Sequence, residues 1–254
     1  MRPLNDSGVL RTGIFIDGRF LEVVRDNCRR DRKQCPTLSE FVQLVSATVL
    51  RWCPDNSVRV DAIEVHWFAG EFKEAQARKR WRDDPRELER HLSKECKLQQ
   101  ELSEAGIIQH RRDMQPRNGP QEDNWSEKGI DTWLLAEALD FAETFKPDAM
   151  VLVACDGDHI TLLEWMRKRQ IATILVYYDS PEDGGRDTLR TQTHWWLKKF
   201  ATQSFMIDLR DGFALRSQDD MDQAKCASVE RAFRFRHEQA GIRPCPGVPF
   251  KSLN

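Results

Sequence analysis

No apolar run in this chain approaches the roughly 18 residues that a membrane-spanning helix needs. The opening MRPLNDSGVLRTG has no apolar middle of the kind a signal peptide carries. Cysteine occurs seven times but never as CxxC. An odd, scattered set (Cys28, Cys35, Cys53, Cys96, Cys155, Cys226, Cys245) reads as free thiols in a reducing cytoplasm. It excludes a disulfide framework, and the spacing of Cys28 and Cys35 fits no zinc motif. Neither GxxxxGK[ST] nor GxGxxG is present, which removes the usual cradles for a nucleoside triphosphate or a dinucleotide. Net charge is nearly absent too. A formal −2 excludes a globally basic nucleic-acid binder but leaves a locally basic groove open.

What is present is enough chain for a large core: 254 residues, 40% hydrophobic and 31% charged. Basic residues concentrate at Arg25–Lys33 and again at Arg78–Arg90. Thr12–Ile16 and Val58–Phe68 read as strands, with a polar helix over Phe20–Asn27 between them. A further helix opens at Pro36-Thr37, where Thr37 caps and Glu40 stands three residues on. Asp84-Pro85 opens a helix that runs to about Ala105, and Ile107–Arg111 is a short strand. Met114–Glu127 is a polar loop near the active face. Then come a helix over Lys128–Phe145, a very apolar strand over Asp148–Cys155, a helix over Asp158–Gln170 and a strand over Ile171–Tyr178. Thr188–Phe200 is a helix, Phe205–Leu209 a last strand and Met221–Gln239 a terminal helix, followed by an extended tail. Strands alternating with helices predict a mainly parallel sheet covered on both faces. Right-handed crossovers then place every strand's C-terminal end on one edge.

The acids fall where that edge should be. Gly13–Ile16 runs into Asp17-Gly18, and Val151–Cys155 runs into Asp156-Gly157-Asp158. Asp131 follows Lys128-Gly129-Ile130 in the first turn of a helix. Taken singly, Asp131 and Asp158 are ordinary helix-start acids, and Asp17 an ordinary turn residue. Taken together they suggest a divalent-cation site, because clustered carboxylates raise one another's pKa unless a cation neutralises them. An all-oxygen set favours Mg²⁺ or Mn²⁺ over zinc. Such a cation suits phosphoryl chemistry.

Phe15-Ile16-Asp17-Gly18, Lys128-Gly129-Ile130-Asp131 with an acid six residues on, and Asp156-Gly157-Asp158 before an apolar helix resemble the NYN domain. This is the LabA-like branch of the PIN-like nuclease superfamily, and the resemblance covers roughly Thr12 to Leu209. It implies a Rossmann-like three-layer α/β/α sandwich and metal-dependent RNA hydrolysis that leaves a 5′-phosphate and a 3′-hydroxyl. Carried over, Asp17, Asp131, Asp156 and Asp158 match the acidic metal-binding positions, Glu137 stands for a further acid, and Lys128 matches a lysine placed to contact phosphate. The chain departs from the pattern at Arg19, where Asn is usual soon after Asp-Gly, at Ala154-Cys155, where serine-glycine is common, and at His159, where an aromatic such as Phe is common.

Beside the matched motifs, Arg111 and Arg112 leave a strand end where they can meet phosphates, and Trp125 stands in a polar loop where it can stack on a base. The expected organisation is a nuclease domain over 1–210 with a C-terminal helix and tail over 211–254. That tail is a candidate surface for a second copy or a protein partner. The competing reading is a catalytically weak RNA-binding or scaffold protein that keeps the fold. A haloacid-dehalogenase-type phosphatase needs a second Asp two residues from Asp17, where Phe15 stands, and a TOPRIM site needs Glu on the first strand.

Overall fold

The computed structural model describes residues 9–52, 59–116, 125–180, 192–210 and 213–217. Apolar segments that alternate between two buried faces form its sheet. Ile14 and Ile16 of β1 (Val9–Asp17) point into one buried layer, and Phe15 between them points into the other. The first layer is closed by α1 (Gly18–Arg30), α2 (Leu38–Trp52) and α4 (Pro85–Glu104), which supply Leu21, Val24, Phe41, Val45 and Leu102. The second is closed by α5 (Ile130–Phe145) and α6 (Ile160–Lys168), which supply Leu134, Phe141, Leu163 and Met166. That is the three-layer α/β/α arrangement expected of alternating strands and helices.

The remaining elements are β2 (Arg59–Glu71), α3 (Glu74–Arg80), β3 (Ile108–Asp113), β4 (Gln115–Pro116), β5 (Trp125–Ser126), β6 (Ala149–Val153), β7 (Ala172–Tyr177), α7 (Trp195–Phe200), β8 (Gln203–Asp208) and β9 (Ala214–Ser217). The seven-stranded sheet has the order β3-β2-β1-β6-β7-β8-β9. The pairings from β3 across to β8 are parallel. Strand order reverses between β1 and β6: the chain steps outward through β2 and β3 on one side and through β7 and β8 on the other. In such sheets the crevice beyond the strand ends at the reversal point is where ligands bind. Register puts Asp17 beside Phe68 and Ile16 beside Val153, so the Asp156-Gly157-Asp158 turn leaves the sheet next to Asp17.

Several boundaries differ from the sequence reading for local reasons. The first helix starts at Gly18, not Phe20, because Asp17 itself caps it and accepts from the Phe20 amide at 3.0 Å. The helix expected from Lys128 starts at Ile130, because Gly129 adopts a left-handed φ of 76°. The helix expected from Asp158 begins as a 3₁₀ turn over Gly157–His159. The capping pair at Thr37 forms as expected: the Thr37 amide donates to Glu40 at 2.8 Å, and the Glu40 amide to the Thr37 hydroxyl at 3.2 Å. The Met114–Glu127 stretch is not simply loop, since β4 and β5 pair as an antiparallel ribbon. Two further elements, α3 and β9, have no counterpart in the sequence reading. The terminal helix expected over Met221–Gln239 lies outside the described residues. The chain divides into a unit of Met1–Leu215 and a second of Arg216–Asn254. Among the described residues no helix is long and apolar enough to cross a membrane.

Candidate active site

Asp17 ends β1 at the reversal point, partly buried and anchored by its cap to α1. Its carboxyl is pushed up to about 7. Burial is the largest influence; the Phe20 amide pulls the other way, and the charges of Glu127, Asp131 and Asp156 push it further up. Three carboxylates from separate segments therefore act on Asp17, and two of them, Asp131 and Asp156, are those the motifs single out. Asp156 is exposed, and its Oδ1 accepts from the Asp158 amide at 3.1 Å, which fixes the turn. Asp131 is about half exposed, with its Oδ1 3.8 Å from Nε2 of His159, a ring with 1% exposure and no hydrogen-bond partner for that nitrogen. Burial lowers the His159 pKa against the opposing pull of Asp131, Asp156 and Asp158. Burial, and after it the charges of Asp17, Asp156 and Asp179, push the Cys155 thiol up to about 12, so it stays protonated.

The chemistry of this donor set fits a hard divalent cation. Oxygens dominate, and the repulsion that raises Asp17 is what a cation would relieve. The geometry is less assembled than the motifs imply. Among the described residues no three His, Cys, Asp or Glu side chains converge as a ready coordination group. Asp158 is exposed, and its amide serves Asp156. Glu137 turns away from the cluster, accepting from the Trp133 indole at 2.8 Å and lying 4.0 Å from His110. That histidine sits in a buried relay, with His66 Nδ1 2.9 Å from His110 Nε2 and Glu64 2.9 Å from the other His66 nitrogen.

The sequence reading missed Glu127. It accepts from the Gly70 amide at 2.8 Å and packs where a side chain at Gly70 would stand, which carries its charge to Asp17. The available signal was its place just before Lys128-Gly129.

The expected phosphate and base contacts separate into two groups. Arg112 is exposed, its guanidinium 4.6 Å over the Trp133 ring and beside Gly129, and Lys128 is exposed at the same rim. Arg111 is different. It is 9% exposed and ion-paired to Glu71 at 3.1 Å and to Glu95, so its charge holds β2, β3 and α4 together and is not offered to a phosphate. Trp125 packs edge-on against Phe72 at 5.4 Å, in a cluster where Phe72 also meets Trp81 and the Arg80 guanidinium. Much of the two basic clusters is likewise paired: Arg25 with Glu101, Arg29 with Asp26, Arg78 with Glu74 and Arg90 with Glu87. Lys79 and Arg86 are exposed and have no carboxylate partner among the described residues.

On the other side of Asp156, the His194 amide donates to the Cys155 carbonyl at 3.0 Å, and the His194 ring lies where a Cβ at Gly157 would crowd it at 3.0 Å. A side chain at that glycine would require the exposed His194 ring to give by a few tenths of an ångström.

The family model for the NYN domain matches residues 11–194. No curated protein matches the chain. Among solved structures, a protein of unknown function from Vibrio parahaemolyticus is 17% identical, with a TM-score of 0.47 over 83% of this chain and 99% of its own. UDP-GlcNAc 2-epimerase from Neisseria meningitidis is 12% identical, with a TM-score of 0.34 over 77% of this chain and 39% of its own. A putative UDP-N-acetylglucosamine 2-epimerase from Listeria monocytogenes is 9% identical, with a TM-score of 0.33 over 80% and 39%.

Proposed function

The chain belongs to the NYN domain family of the PIN-like nuclease superfamily, and from that premise we propose that it is a divalent-metal-dependent ribonuclease. The observation that carries the reading is the coupling of Asp131 and Asp156 to Asp17 at the reversal point of the sheet. Asp17, Asp131 and Asp156 would hold Mg²⁺ or Mn²⁺, with Asp158 and Glu127 completing the negative field. Held there, the ion would supply a lowered pKa for water and neutralisation of the charge that develops at phosphorus.

The chain's own groups supply position. The Phe20 amide orients Asp17, the Asp158 amide orients Asp156, and the first turn of α5 presents Asp131. Arg112 and Lys128 receive the phosphates flanking the cleaved bond, and Arg112 is held against Trp133 for that purpose. The protein acts in the cytoplasm with its thiols reduced. Its nuclease domain spans 1–210, and 211–254 is a surface for a second copy or a protein partner.

The test is incubation of labelled single-stranded RNA with Mn²⁺, Mg²⁺ or EDTA, beside Asp156→Asn. Cation-dependent cleavage that the variant abolishes supports the reading. One observation favours a second reading, an RNA-binding protein with little catalytic power: among the described residues the carboxylates are not closed into a ligand group. RNA binding by folded wild type without cleavage in any cation selects it.

A further inference from the structure

Trp195 is 57% exposed, the most exposed large hydrophobic side chain among the described residues. An isolated exposed indole needs no explanation, but this one is built into a place. It lines a cavity of about 540 Å³ together with Asp156, Gly157, Gln192 and His194. That volume lies within the roughly 300–1,000 Å³ of small-ligand pockets. Trp195 is backed by Trp196, ring centroids 3.9 Å apart and 28° from parallel. The Lys199 ammonium sits 4.5 Å over the Trp196 ring and 5.5 Å from the Trp195 centroid. Among the described residues Lys199 has no carboxylate partner, whereas its neighbour Lys198 is held by Asp179 at 2.5 Å.

The platform is anchored to the sheet. The Thr193 amide donates to Asp179 at 2.7 Å, and the His194 amide to the Cys155 carbonyl at 3.0 Å. An aromatic plane and a carboxylate of the acidic cluster thus line one cavity, and the Lys199 ammonium stands beside that plane, outside the cavity lining.

We propose that this cavity is a nucleotide subsite, in which a base of single-stranded RNA next to the cleaved bond stacks on Trp195 while its phosphate meets Lys199. The inference rests on the ribonuclease reading for its ligand. Gln192 lines the same cavity, within reach of the edge of a base stacked on Trp195, and such stacking takes an unpaired nucleotide, because a base inside a duplex has both faces covered. The Asp156 side of the site is thereby committed to single strands.

The experiment measures binding of the full chain in EDTA, so that no cleavage occurs, to a fluorescent single-stranded RNA and to an abasic oligomer of equal length. Trp195→Ala is expected to weaken RNA binding about tenfold, Trp195→Phe to retain most of it, and the abasic oligomer to bind wild type and Trp195→Ala equally. Melting curves establish that both variants fold, as expected for an exposed side chain. Equal RNA affinity of wild type and Trp195→Ala overturns the subsite and leaves the ribonuclease reading standing. Equal loss on the abasic oligomer overturns stacking as the cause. Failure of wild type to bind RNA in EDTA, together with no cleavage in Mn²⁺ or Mg²⁺, removes the ribonuclease reading, and the subsite with it.

Discussion

Asp17→Asn should make the metal-free protein more stable at pH 8 and leave it unchanged near pH 4. The Asp17 carboxyl titrates near 7 in the folded chain, against 3.8 as the ordinary value, chiefly because it is buried and then because Glu127, Asp131 and Asp156 repel its charge. A raised folded-state pKa means that the native chain binds the proton more tightly than the unfolded chain does. The associated stability is complete below about pH 4 and is lost as pH rises through 7. A difference of about three pH units corresponds to at most about 4 kcal/mol. Asn carries no charge and keeps a cap oxygen for the Phe20 amide, so the helix start is preserved. In a chain of this size each kcal/mol moves the midpoint by about 2–4 °C, so the variant should melt roughly 10 °C above wild type at pH 8. Melting curves in EDTA across pH 4–8 measure this. A variant that melts at or below wild type at pH 8, or that shows the same offset at both ends, refutes the picture of an Asp17 whose charged form is disfavoured by burial and by its acidic neighbours.

Other perturbations separate structural from functional charges. Arg111→Ala strands Glu71 and Glu95 and should cost about 3 kcal/mol, whereas Arg112→Ala should leave the melting temperature within a few degrees and weaken RNA binding; equal stability of the two variants would contradict the assignment. Gly18→Ala places a methyl group against the fully buried Trp67 indole and should cost about 1–3 kcal/mol by urea titration. Burial lowers the pKa values of His66 and His110, so stability should fall as pH drops below 6.5, and their ring-proton NMR titrations should fall below that of free histidine. A midpoint above 6.5 for either ring would show the relay to be charged. Mn²⁺ should raise the wild-type melting temperature at pH 8 and raise that of Asp156→Asn less, because a ligand that binds only the native state stabilises it.

Much of the fold was legible because apolar runs and acids coincide in the chain. Phe15 and Ile16 before Asp17, and Val151–Val153 before Asp156, mark strands that end at one edge, and parallel pairing delivers them there. Capping residues fixed the α2 and α4 starts, since Thr37 and Asp84 act within three residues of themselves. The helix α3 escaped notice because only Ala77 of its seven residues is buried, too little for a periodic signal. The role of Arg111 was hidden for another reason: Glu71 and Glu95 come to it from a neighbouring strand and a helix, and nothing local distinguishes it from Arg112. Glu127 was missed on the same ground, since its partner is the backbone of Gly70 on another strand.

The most direct measurement is an anomalous difference map from a crystal soaked in Mn²⁺ at a concentration that supports cleavage. The account predicts a peak bounded by the carboxylates of Asp17, Asp131 and Asp156, absent from Asp156→Asn crystals. A peak that lies elsewhere, or none between those three side chains, would contradict it.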